Sequence, residues 1–229
     1  MQPRLSLTVE TYFDLICPWC LIGKRHLDTA LALLAQEHPD VAVSITWRSY
    51  PLLPDIPAAG LPFQEFYVRR LGSPAAVAAR QAQVRAAAQA AGVTLAYERI
   101  AVMPSTLAAH RLLRAASLAG GPEVVPALIE ELFTRYFQRG ENIGDARVLR
   151  DAARACGIAQ PDATADDAAF EWLPPLHDAD ALASPPPFGV PHFRFNGGHD
   201  LSGAQPPAVL LDVMRSALAG ERRPSPADC

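Results

Sequence analysis

The chain has 229 residues, half of them hydrophobic and 19% charged, enough apolar material for a sizeable core and too much for a disordered chain. Its 20 Lys and Arg against 24 Asp and Glu leave a formal net charge of −4, and the basic residues are scattered rather than striped, which speaks against a nucleic-acid partner. No apolar run reaches the roughly 18 residues of a membrane span, and the first residues lack the apolar region and small-residue cleavage site of a signal peptide. The expected setting is the cytoplasm, away from membranes.

Thr8-Val9-Glu10-Thr11-Tyr12-Phe13 alternates and is rich in β-formers, which predicts a strand. Asp14-Leu15-Ile16 then leads into Cys17-Pro18-Trp19-Cys20. From there to about Gln36, Leu27, Leu31 and Leu34 recur at helical spacing, with Lys24, Arg25 and Asp28 on the wet side. Proline at a first helical position needs no donor and presets φ, so Pro18 opens the helix and Cys17 falls at its N-cap. Val41 to Trp47 reads as a second strand, completing a βαβ unit with parallel strands. Leu52 to Pro62 is proline-rich and apolar, a connector or the wall of a site.

Helical patterns follow at Phe63 to Leu71, Ala75 to Ala91, Thr106 to Leu118, Pro122 to Arg139 and Asp145 to Cys156, punctuated by Gly72, Gly92, Gly120-Gly121 and Gly140. After Ser184-Pro185-Pro186-Pro187-Phe188 the pattern returns to strands: Val190 to Phe195 alternates, Asn196-Gly197-Gly198 signals a hairpin, and His199 to Ser202 is its short partner. A last helix runs from Pro206-Pro207 to about Leu218, ahead of a frayed tail. The layout is an α/β domain of residues 1–50 and 184–229, βαβ then ββα, interrupted by an inserted helical domain with connectors, residues 51–183.

Of the cysteines at 17, 20, 156 and 229, the first two form a C-x-x-C pair beside a βαβ pattern, which reads as a redox motif. Unsatisfied N–H groups of the first helical turn and the helix dipole favour a thiolate at Cys17, and such cysteines titrate between about 3.5 and 7.5. Cys20, three residues on, is one turn away and further into the helix. Cys17 is therefore the nucleophile that forms a mixed disulfide, and Cys20 the resolver. Zinc needs two more ligands at compatible spacing; no second C-x-x-C exists, His192 and His199 lie on different strands, and Cys156 stands alone in a helix. No metal site is expected.

Other residues carry alternatives. Gly189-Val190-Pro191 is an ordinary strand start or a cis-proline turn. Asp14, at the end of the first strand, either accepts or shuttles the Cys20 proton, or is a strand-end cap or a solvated carboxylate. Lys24 and Arg25 form an electropositive rim or a solvated helix face, and His26 reads as solvated or locally bonded. Met103 and Pro104 wall the site or pack between domains. The proline-rich segments 51–62 and 184–187 line an apolar groove or act as stiff connectors. Cys156 reads as an inert buried thiol and Cys229 as a terminal exposed one.

Taken together, Asp14-Leu15-Ile16-Cys17-Pro18-Trp19-Cys20-Leu21-Ile22-Gly23-Lys24-Arg25, Thr106-Leu107-Ala108-Ala109-His110-Arg111-Leu112, Gly140-Glu141-Asn142-Ile143-Gly144-Asp145, Gly189-Val190-Pro191 and Leu201-Ser202-Gly203-Ala204-Gln205 resemble the DsbA-like thioredoxin superfamily, and within it the FrnE-like branch of cytoplasmic oxidoreductases. The resemblance spans about residues 7 to 219. It implies a thioredoxin fold interrupted by a helical domain, with Pro191 cis and facing the disulfide and with the Val190 backbone pairing with an extended substrate. Pro18 and Trp19 complete the implied substrate-positioning set. The implied activity is dithiol–disulfide exchange, as oxidase, reductase or isomerase, with protein or peptide disulfides and thiols. No cofactor is implied beyond the redox-active disulfide, although glutathione is a potential co-substrate, and the helical domain permits a dimer.

Kappa-class transferases and hydroxychromene-carboxylate isomerases share this layout but carry serine where Cys17 stands, and activate the thiol of glutathione instead. The sequence departs from them at both cysteine positions. A glutathione-dependent isomerase or transferase is therefore the first alternative, and a redox-sensing chaperone or binding module the second. Pro18-Trp19 lacks the histidine of strongly oxidising relatives, and the C-terminal region has Cys229 alone where some FrnE-like proteins carry a second pair.

Overall fold

The computed structural model of the protein describes residues 5–158 and 189–221, apart from 120 and 122. In chain order its elements are β1 (Ser6–Phe13), α1 (Pro18–Glu37), β2 (Ala42–Ser49), β3 (Leu61–Pro62), α2 (Phe63–Leu71), α3 (Pro74–Ala90), a 3-10 turn (Tyr97–Arg99), β4 (Val102–Met103), α4 (Leu107–Ala119), α5 (Val124–Thr134) running into a π turn (Arg135–Arg139), α6 (Ala146–Ala155), β5 (His192–Phe195), β6 (His199–Ser202) and α7 (Pro207–Glu221). The chain divides into two compact units. One comprises Met1–Phe13, Trp19–Tyr50 and Ser184–Cys229, the other Asp14–Pro18 and Pro51–Ala183.

The first unit is built on a sheet of order β2-β1-β5-β6. β1 and β2 are parallel, Ser6 opposite Ala42 through Phe13 opposite Ser49, with α1 as the crossover, whereas β1–β5 and β5–β6 are antiparallel. Leu7 and Val9 alternate with exposed neighbours at the start of β1, but Thr11, Tyr12 and Phe13 are all buried, so the strand is covered on both faces only as it nears Asp14. Leu27, Ala30 and Leu34 of α1 meet Phe193 and Phe195 of β5 and Leu210 and Met214 of α7 in one core. The β5–β6 hairpin turns on Asn196, which sits at φ 45°. Its Oδ1 accepts the Thr8 N–H at 2.8 Å, and its Nδ2 donates to the Ser6 and Ala217 carbonyls, both at 3.4 Å.

In the second unit the helix ends follow from their sequences. Ser73 caps α3 by accepting the Ala76 N–H at 3.1 Å, with Pro74 in the first turn. Asp145 caps α6 by accepting the Arg147 N–H at 2.7 Å. Leu128, Ile129, Leu132 and Phe133 put the apolar stripe of α5 into a core shared with α4 and α6. The pattern from Pro122 to Arg139 predicts one helix; the described chain has α5 from Val124 and then the π turn. Gly140, at φ 74°, ends that turn against the Arg99 carbonyl, where a Cβ would collide. The two-residue ladder β3–β4 and the 3-10 turn escape the sequence reading because each is shorter than one period of any hydrophobic pattern. Residues 184–187 and the tail beyond 221 lie outside the described residues.

Replacing Asn196 with alanine removes the acceptor of the Thr8 N–H and places a Cβ-bearing residue without a compensating bond at positive φ. The expected cost is about 1–2 kcal/mol. It should appear as a lower urea midpoint at unchanged m-value.

Candidate functional site

α1 begins at Pro18, so Cys17 stands immediately before the helix and Cys20 in its first turn. Both are thiols and both are buried, Cys17 at 7% exposure and Cys20 at 3%. Pro18 and Trp19 between them are half-buried. The turn before Cys17 is organised by Asp14, whose carbonyl accepts the Cys17 N–H at 3.2 Å. The Asp14 side chain is wholly buried. Its Oδ1 accepts the Leu15 N–H at 2.7 Å and the His110 Nε2–H at 3.0 Å, and its Oδ2 accepts the Leu52 N–H at 2.7 Å. A buried carboxylate is tolerable only when so supplied with donors. Asp14 is thus not a solvated carboxylate; it holds the end of the strand through its donors, one of them a histidine 96 residues away.

Three tyrosines of the same unit lie within electrostatic reach of this turn. Burial first, and then the charge of Cys17, push the Tyr67 phenol above its ordinary range. Tyr97 is pushed up by burial, by Tyr67 and by Cys17. Tyr136, fully buried, is pushed up by burial, by the other two tyrosines and by Asp14. Phe63 is the hub of this group, 4.8 Å edge-on from Tyr67 and 6.3 Å stacked from Tyr97, while Arg85 lies 5.3 Å over the Tyr97 ring. The Tyr136 hydroxyl donates to Met103 Sδ at 3.5 Å, so Met103 packs within the helical unit.

In the sheet unit, the Val190–Pro191 bond is cis and Pro191 directly precedes β5, with Val190 half-buried and Pro191 buried. Pro191 is held by residues far from it in sequence. The Gly203 N–H donates to its carbonyl at 2.8 Å. Its ring packs on Gly23 of α1, where a Cβ would come within 3.0 Å of Pro191 Cγ and 3.2 Å of Phe193 Cζ. His26 Nδ1–H donates to the Gln205 carbonyl at 2.9 Å, and Gln205 Nε2 donates to the Ser202 carbonyl at 3.1 Å. His192, next to Pro191, is 1% exposed and shares a 2.8 Å hydrogen bond between Nδ1 and Ser202 Oγ.

Several residues depart from their sequence reading. Lys24 is not on a solvated face: it is buried, with its ammonium 2.8 Å from Asp28. His26 bonds across to the loop after β6 rather than locally. Cys156 is only partly buried, at the C-cap of α6, and burial and then Glu131 push its thiol up. Cys229 lies outside the described residues. His110, Gly23 and Gly203 were visible only as members of longer motifs. Their roles depend on partners that no local pattern encodes.

A βαβ unit, a run of helices and a ββα unit, with C-x-x-C at the first helix start and a cis-proline before the third strand of the sheet, define a thioredoxin fold with an inserted helical region. The chain belongs to the DSBA-like thioredoxin domain family, whose model matches residues 8–215. A solved structure of a probable DsbA oxidoreductase from Streptomyces coelicolor is 26% identical, with a TM-score of 0.73 over 96% of this chain and 92% of that one. The cytosolic disulfide reductase DsbM of Pseudomonas aeruginosa is 17% identical, with a TM-score of 0.53 over 93% and 96%. A 2-hydroxychromene-2-carboxylate isomerase is 16% identical, with a TM-score of 0.56 over 93% and 97%. The last two likenesses speak to the fold. No curated protein matches the chain. Among the described residues no helix is long and apolar enough to cross a membrane, and no three His, Cys, Asp or Glu side chains gather as a metal site requires.

Two outcomes test this geometry. Gly23→Ala gains roughly 0.5–1 kcal/mol of helix propensity, against about 1–3 kcal/mol of overpacking on Pro191 and Phe193. Packing wins, so net destabilisation and a several-fold slower thiol exchange are expected, read by urea unfolding and by reduction of a model disulfide. The raised phenols give the second. A group whose folded pKa exceeds its unfolded value of 10.0 contributes stability that is intact below pH 10 and lost as the pH rises past it. Tyr136→Phe should flatten that alkaline loss in urea midpoints measured from pH 9 upward.

Proposed function

We propose that the protein is a thiol–disulfide oxidoreductase in which Cys17 attacks and Cys20 resolves. The observation that carries this reading is the C-x-x-C pair straddling the start of α1 directly after β1. A cysteine there meets the unsatisfied N–H groups and positive end of the helix, which favour its thiolate. The Cys17 thiolate attacks one sulfur of a substrate disulfide, forming a Cys17–substrate disulfide and releasing the other sulfur as a thiolate, which takes up a proton. Cys20 then loses its proton and attacks Cys17 Sγ, closing the Cys17–Cys20 disulfide and releasing the second substrate thiolate. Two electrons and two protons pass from the dithiol to the substrate. If a second substrate thiol attacks before Cys20 does, the outcome is isomerisation.

The return to the dithiol takes two equivalents of a thiol. Glutathione suits this step in a reducing cytoplasm, and a structure of DsbM from Pseudomonas aeruginosa with GSH supports it as co-substrate. Protein or peptide disulfides are the substrates in this reading. Pro18 and Trp19 flank the nucleophile, and the Val190 backbone ahead of cis-Pro191 receives an extended chain.

A glutathione redox titration with Cys156 and Cys229 replaced by serine should give one reversible two-electron transition, with a midpoint between about −270 and −120 mV. Cys17→Ser should abolish it, and Cys20→Ser should trap the mixed disulfide. A parent protein without a reversible transition would falsify the reading.

A further inference from the structure

We infer that His110 is a positioning residue for this chemistry: through Asp14 it holds the turn that presents Cys17 and so sets the redox potential of the Cys17–Cys20 pair. The inference rests on the dithiol reading above. His110 lies on α4 with no exposure, among the buried residues Ala109, Leu112 and Leu113. Burying an imidazole on so apolar a face is costly without a polar partner, and Nε2–H finds one in Asp14 Oδ1 at 3.0 Å. The other two donors to that carboxylate, the Leu15 and Leu52 N–H groups, are backbone and so indifferent to side-chain identity. His110 is the side-chain contribution to the set, and it ties α4 to the segment Asp14–Pro18 within one compact unit.

The consequence is electrostatic as well as geometric. Asp14 and Cys17 share one turn, closed by the 3.2 Å bond from the Cys17 N–H to the Asp14 carbonyl. A carboxylate on the residue that closes this turn acts against negative charge at Cys17. Donation by His110 draws the carboxylate charge toward itself and fixes the rotamer. Without that donor the Asp14 charge bears more fully on Cys17, the thiolate of the reduced form is disfavoured, and the disulfide gains. A disulfide that gains against its dithiol has a lower potential.

The test is the glutathione titration at pH 7, in the background lacking Cys156 and Cys229. His110→Phe fills the space without a donor and should shift the equilibrium about tenfold toward the disulfide, about 30 mV for a two-electron couple. His110→Gln keeps an N–H donor and should stay within about threefold of the parent. In the Asp14→Asn background, His110→Phe should add less than about threefold, because the charge it compensates is gone. A folded His110→Phe protein that melts lower but keeps the parental equilibrium overturns the inference, as does a shift that persists in Asp14→Asn. Should the phenylalanine variant not fold, His110→Asn, whose amide is too short to reach Asp14, is read by the same two criteria. A parent with no transition overturns the dithiol reading itself, an outcome separate from any effect of the variants.

Discussion

The site depends on a carboxylate that water does not reach. Asp14 is wholly buried, and its oxygens must be supplied with donors by the protein or the turn would not close. The donors come from three places in the chain: the next residue, the segment that follows β2, and the first turn of α4. Once they are in place, the backbone from Asp14 to Cys17 has a single course, and Pro18 starts α1 where its missing N–H costs nothing. The position of Cys17 is thus an outcome of satisfying one buried acid. This also explains why residues 14–18 group with the helical unit although they connect β1 to α1 of the sheet unit.

The cis-proline side obeys a different constraint, one of space. α1 carries a glycine at position 23, in a helix interior where alanine would be better by roughly 0.5–1 kcal/mol. The gap it leaves is filled by the Pro191 ring and Phe193, close enough that a single methyl group would have to displace them. The Pro191 carbonyl is fixed from Gly203, which can aim its N–H there because it adopts φ 81°, a conformation that costs glycine nothing. Two glycines 180 residues apart in sequence therefore serve one proline. Both act on where Pro191 sits.

Much of this was legible before any coordinates. Strand alternation, leucine spacing and proline punctuation placed α1, α2, α3, α6, the β5–β6 hairpin and the parallel β1–β2 pair close to their observed limits, because each of these signals is local and repeats several times. What escaped is long-range or short. Lys24 reads as solvated because its helix has charged neighbours, yet it is buried with its ammonium held by the exposed Asp28. His26 and His110 each found partners across 179 and 96 residues of sequence, and nothing in the residues beside them announces this. A histidine on an apolar helix face looks the same from sequence whether it is core or machinery. Only the distance to Asp14 separates the two.

The shared motifs consequently divide by what they hold. Gly140 to Asp145 shapes a loop in which Asn142 Oδ1 accepts the Gly144 N–H at 2.9 Å and Gly144 packs on the Ser105 carbonyl, just ahead of the helix that carries His110. Leu201 to Gln205 anchors Pro191 and His26. Many of the residues that carry the resemblance thus hold loops and turns in place. The fold itself is also found in proteins as different in name as a disulfide reductase and a 2-hydroxychromene-2-carboxylate isomerase. A fold that hosts varied reactions can assign chemistry only at the few atoms its supports present. In the reading proposed for this chain those atoms are the sulfurs of Cys17 and Cys20, and the buried pair of Asp14 and His110 supports the turn that leads to the first of them.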